Sequence, residues 1–193
     1  MLLKVALVAL LSISIVLISA GASMATVTTF KHEAKYGILI YVYYLDSSTV
    51  SSTTPSVNTA MTPPTGTGSQ LLLVGESAYL WSTQFSSATT ISSGKWLLDL
   101  WAESVLGGSF TVSIYVTNSA GTIQSTVVNA GTTGTIGTLT EAQVSTTFSG
   151  SQVSVPANGY IEVELTAPTV GAIELYWGAA QLTDFQVPKT VLS

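Results

Sequence analysis

Wherever its pattern is clear, this chain alternates apolar and polar residues with a period of two. After Lys95, Trp96, Leu98, Leu100 and Ala102 share one side, while Leu97, Asp99, Trp101 and Glu103 share the other. Phe110, Val112, Ile114 and Val116 repeat the pattern, with hydroxyl residues between them. Successive side chains of a strand point to opposite faces, so this spacing predicts antiparallel strands with one face buried and one wet. No segment beyond the first 25 residues repeats at the helical period of 3.6. Further β-prone runs predict strands at 36–45, 71–74, 79–85, 122–129, 143–148, 153–155, 160–165 and 173–177. Turn-forming residues separate them, as in Asn118-Ser119-Ala120-Gly121 and Pro156-Ala157-Asn158-Gly159.

The expected fold class is therefore all-β: a single antiparallel β-sandwich or jelly-roll-like domain over residues 26–193, preceded by a hydrophobic leader helix. Residues 26–35 read as an N-terminal tail. Residues 46–70 carry Pro55, Pro63, Pro64, Gly66 and Gly68 in a Ser/Thr background and read as a surface connection with no strand of its own. Residues 86–94 read as a loop, and 131–137 as a flexible tip.

The first 25 residues differ in kind. Lys4 is followed by an uncharged apolar run, then by the small-residue sites Ala20-Gly21-Ala22 and Ser23-Met24-Ala25. This is the order of a signal peptide, and the run is also long enough for a retained membrane anchor or a pilin-type helix. Either way the chain is expected at the cell surface or outside the cell, with membrane contact only through an uncleaved leader.

Composition narrows the function. The net charge is −5, with five Lys and no Arg, so no basic stripe exists for nucleic acid. There is no Cys, which excludes disulfides and thiolate metal sites. None of the four Asn lies in Asn-x-Ser/Thr. Charged residues make up 8% of the chain, against about 25% in ordinary soluble domains. Such a surface suits a protein packed against copies of itself.

Chemistry is sparse. The single histidine, His32, sits in a charged pentad beside the leader and reads as a solvated residue rather than the base of a triad. Glu162 and Glu164 share one outward face of a predicted strand, and Glu174 follows on a strand expected to be adjacent. Three such carboxylates suit Ca²⁺, which takes oxygen ligands; no other cofactor is expected. Asp99 and Glu103 are a second outward pair. Trp101, Tyr160 and Tyr176 fall on outward faces as possible glycan or subunit contacts. Trp96 and Trp177 read as core, and Trp81 is unassigned.

The aromatic run at 36–45 follows an uncharged extended segment. Val27, Phe30, Ile38, Ile40 and Val42 are the residues expected to pair with an open sheet of a second copy, a contact that does not close and so polymerises. With its leader, its N-terminal β-segment and its Thr/Ser/Gly-rich body poor in charge, the chain resembles the archaeal extracellular filament subunits, the threads and bundling pili built by donor-strand complementation. The resemblance implies a structural subunit, not an enzyme, whose partner is itself and whose role is adhesion or biofilm. Three other classes stand beside it: a virion coat or surface protein with a jelly-roll fold, a secreted carbohydrate-binding module, and a secreted hydrolase with a converging acid pair.

Overall fold

The computed structural model describes residues 40–46, 50 and 52–189, which fall within one compact unit running from Leu39. The leader, the 26–35 tail, and with them Val27, Phe30, His32 and Ile38, lie outside the described residues. Among the described residues there are thirteen strands and no helix. All paired strands are antiparallel, as the period of two predicts.

The larger sheet has seven strands: β1 (Ile40–Leu45), β2 (Thr59–Ala60), β3 (Thr67–Leu72), β6 (Gly94–Ser104), β9 (Ala142–Gly150), β12 (Ile173–Gly178) and β13 (Asp184–Pro188). A four-stranded sheet has the order β4 (Ser77–Trp81), β11 (Tyr160–Thr166), β7 (Thr111–Thr117), β8 (Ile123–Thr132). A small third sheet pairs β5 (Thr89–Ile91) with β10 (Val153–Val155). The inward sets meet in one core: Trp96, Leu98, Leu100, Ile173, Leu175, Trp177 and Phe185 from the large sheet, and Leu80, Val112, Ile114, Ile161, Val163 and Leu165 from the small one. Each such aliphatic side chain, fully buried, contributes about 1.5–3 kcal/mol. Trp96 and Trp177 are core, as the alternation predicts. Trp177 lies across its partner Gly68, where a Cβ would come within 2.5 Å of the indole ring.

The large sheet forks. Along one edge of β6 runs β9; the other edge is shared, with β13 opposite Leu97 to Asp99 and β12 opposite Trp101 to Ser104. Thr183 fills the gap between the two arms. Its Oγ1 accepts from the Trp101 N–H at 3.0 Å and donates to the Tyr176 carbonyl at 2.6 Å, and its own carbonyl accepts from the Leu45 N–H at 2.9 Å. A buried hydroxyl here satisfies backbone groups that the fork leaves without a strand partner.

Several expectations are corrected. Residues 46–70 contain β2 and most of β3, and Val50, Asn58 and Thr59 close the free edge of β4. The Val50 carbonyl accepts from the Tyr79 N–H. The Asn58 side chain donates to the Tyr79 carbonyl at 2.6 Å and accepts from the Trp81 N–H at 2.8 Å, and Thr59 Oγ1 donates to the Trp81 carbonyl at 2.5 Å. Side chains thus stand in for a neighbouring strand and blunt an edge that would otherwise be open. The loop expected at 86–94 contains β5, and the tip expected at 131–137 carries the fully buried Ile136, whose N–H bonds the Gly108 carbonyl at 2.7 Å. β13 has no counterpart among the expected strands.

Candidate functional site

The outer face of the four-stranded sheet is built by three strands in register. Glu162 of β11 lies opposite Trp81 of β4 on one side and Tyr115 of β7 on the other; Glu164 lies opposite Tyr79 and Ser113; Thr166 lies opposite Ser77 and Thr111. Alternation places these residues together, because their neighbours Ile161, Val163 and Leu165 fill the core. Above Trp81, its Nε1 donates to the Ser52 carbonyl at 3.2 Å and Tyr160 meets the ring edge-on at 5.9 Å. The Asn118 turn closes the same end. Asn118 Oδ1 accepts from the N–H groups of Ala120 and Thr122, and Gly121 takes φ 79°, with room for no Cβ beside Pro55.

The two carboxyls of this face differ in their partners. Glu164 is well served: Ser77 Oγ donates at 3.0 Å and the Tyr79 hydroxyl at 3.3 Å to Oε1, while the Tyr115 hydroxyl donates at 3.4 Å to Oε2. Glu162 is only 6% exposed and accepts no hydrogen bond among the described residues. Burial, and then the charge of Glu164, push its carboxyl up to about 7. Burial and the Glu164 charge also raise the Tyr79 hydroxyl.

The outer face of the large sheet carries acids across strands. Asp99 of β6 lies opposite Asp184 of β13, and Glu103 lies opposite Glu174 of β12. Asp184 is 6% exposed; burial, then the charge of Asp99, raise it to about 7, and a bond at 3.1 Å from Gln186 opposes the shift. Burial, and then the neighbouring carboxyls of Glu103 and Glu174, raise the Tyr176 hydroxyl far above the ordinary tyrosine range.

The expected trio of Glu162, Glu164 and Glu174 is not brought together: the first two lie on β11 of the small sheet, and Glu174 lies on β12 of the large one. No group of three or more Asp, Glu or His suited to a metal occurs among the described residues. Trp101 and Tyr176 are opposite one another on the large sheet, half-buried, while Tyr160 belongs to the other sheet and is buried on Trp81. Sequence reasoning missed Trp81, Tyr79, Tyr115 and Asp184 as members of these faces. The alternation of β4 and β7 carried the signal for the first three; β13 itself was not foreseen.

No protein-family model and no curated protein matches the sequence. Among solved structures, the fold is similar to a CocE/NonD family hydrolase, SACOL2612, from Staphylococcus aureus, with TM-score 0.61 and 10% identity over 78% of this chain and 36% of that one. A second structure of that hydrolase gives TM-score 0.61 at 9% identity, over 80% of this chain and 37% of the other. An α-amino acid ester hydrolase is similar with TM-score 0.50 at 7% identity, over 77% of this chain and 36% of the other. At these identities the likeness is one of fold, and the chain spans little more than a third of the length of the hydrolases it matches.

The expectation of a filament or pilus subunit with no part in an enzyme is corrected by this likeness, since the fold recurs within hydrolases. Ile40 and Val42, expected in a donated strand, sit in β1, which is held in the chain's own sheet by β13 and β2.

Proposed function

We propose that this chain works within a hydrolase, as a β-domain of the jelly-roll sandwich kind acting at the cell surface or outside the cell, with residues 1–25 as its signal peptide or anchor. The supporting observation is the fold: three-quarters or more of the chain superposes on part of a CocE/NonD family hydrolase and of an α-amino acid ester hydrolase. The described residues contain neither His nor Cys. An acid–base step carried by them falls to carboxyls, and Glu162 and Asp184, both near 7, are those that exchange protons around neutral pH.

The test is hydrolysis of p-nitrophenyl esters and of amino-acid esters and p-nitroanilides by the full chain, purified from its native source without denaturation. Activity that travels with the chain through successive columns at constant specific activity supports the reading, whether the bond is cleaved by this polypeptide or by one beside it. Pure chain with no such activity at any stage overturns it.

A further inference from the structure

We propose that the outer face of the four-stranded sheet binds a primary ammonium group, held by Glu162 and Glu164 between the hydroxyl-bearing rings of Tyr79 and Tyr115. The proposal rests on an imbalance of partners. Glu164 receives three hydroxyl donors, whereas Glu162, nine-tenths buried two residues away on the same face, receives none among the described residues. No cation of the described residues is paired with Glu162. The lysines among the described residues are Lys95, bonded to Ser149 at 3.0 Å, and Lys189, which lies over the Tyr41 ring at 5.2 Å. The side chain is nine-tenths buried but its carboxyl oxygens reach the surface without a donor among the described residues, which suits a ligand that brings both positive charge and N–H groups.

The surroundings select an organic cation over a metal. Trp81 and Tyr160 back the site, and the half-buried Tyr79 and Tyr115 flank it, so a ligand nitrogen would meet π faces as well as carboxylates. Ca²⁺ takes six to eight oxygens, whereas this face offers two carboxyls, one of them already engaged. Among the described residues the titratable groups facing Glu162 are Glu164 and Tyr160 on its own strand, Tyr79 on β4 and Tyr115 on β7. The covering segment 52–58 and the turn 118–121 bring none. With Glu162 raised to about 7, the ionised form that attracts a cation fills in between pH 6 and 8.

n-Butylamine, cationic at these pH values, is the probe, titrated into the full chain while the ring signals of Tyr79, Tyr115 and Trp81 are followed by NMR. The expected result is a saturable shift at pH 8, about tenfold weaker binding at pH 6, and loss of binding in Glu162→Gln, whose thermal unfolding shows that it folds. Tetramethylammonium, which has no N–H to donate, binds at least fivefold more weakly. The proposal is overturned by shifts that do not saturate, by binding that survives Glu162→Gln, by equal binding of tetramethylammonium, or by Ca²⁺ displacing the amine at micromolar concentration.

Discussion

The outer faces of the two sheets both carry pairs of acids, yet they handle them differently. On the small sheet the pair lies along one strand, Glu162 and Glu164, and the donors are divided unequally between them. On the large sheet the pairs lie across strands; Glu103 and Glu174 both act on the Tyr176 hydroxyl, and Gln186 serves Asp184. The contrast teaches that a carboxyl on a sheet is not defined by facing outward. Its protonation follows from what covers it and from which hydroxyl or amide its cross-strand neighbour presents.

Asp184→Asn should produce the largest change. The native carboxyl holds its proton up to about pH 7, whereas its ordinary value is 3.8. Folding therefore favours the protonated form, and stability falls as pH rises between those values. The neutral amide escapes that loss, so the variant is expected to gain about 2–4 kcal/mol over wild type at pH 8 and little at pH 4, read from urea unfolding at both pH values. An equal effect at both would mean that Asp184 is not the carboxyl that titrates.

Thr183→Val breaks the large sheet at its fork. It leaves the Trp101 N–H and the Tyr176 carbonyl without their hydroxyl partner, at a cost of about 2–3 kcal/mol in the same unfolding experiment. The small sheet has its own buried hydroxyl, Ser82 Oγ, which accepts from the Ile161 N–H and donates to the Thr83 carbonyl, both at 2.9 Å. Ser82→Ala measured beside Thr183→Val therefore compares the two sheets directly.

Glu162→Gln should stabilise the fold at pH 8 by about 1–2 kcal/mol, with the gain fading towards pH 5, where wild-type Glu162 is already neutral. Tyr176→Phe removes the hydroxyl between Glu103 and Glu174 and should cost about 0.5–1.5 kcal/mol at neutral pH. If Tyr115→Phe, which removes a single 3.4 Å bond to Glu164, proves as costly as Tyr176→Phe, the two faces are more alike than the division of their partners indicates.

Much of this was legible in the sequence because period two is a direct statement about faces. The alternation in β6 and β7 assigns Trp96, Leu98, Ile114 and Val116 to the core, and the same rule puts Glu162 and Glu164 together on the opposite face. What alternation lacks is pairing. Nothing local tells that β11 joins β4 and β7 while β12 joins β6 and β3, and so Glu174 was grouped with acids of the other sheet. Ser, Thr and Pro in residues 46–70 read as solvent-facing connection, because the bonds that order Asn58 and Thr59 reach β4, more than twenty residues further on. The five residues of β13 were hidden for a similar reason: Asp184 and Gln186 are polar by composition and buried or half-buried only through their neighbours on β1 and β6.

The most direct test of the account is the titration of the Glu162 and Glu164 side-chain carboxyls by carbon-13 NMR, from pH 3 to 9, in the full chain. The account predicts that Glu162 titrates near 7, well above the ordinary glutamate value of 4.5, and that its midpoint falls when Glu164→Gln removes the neighbouring charge. A Glu162 midpoint at or below 4.5, unmoved by Glu164→Gln, would contradict the buried, donor-poor carboxyl on which both the proton-exchanging role and the ammonium site depend.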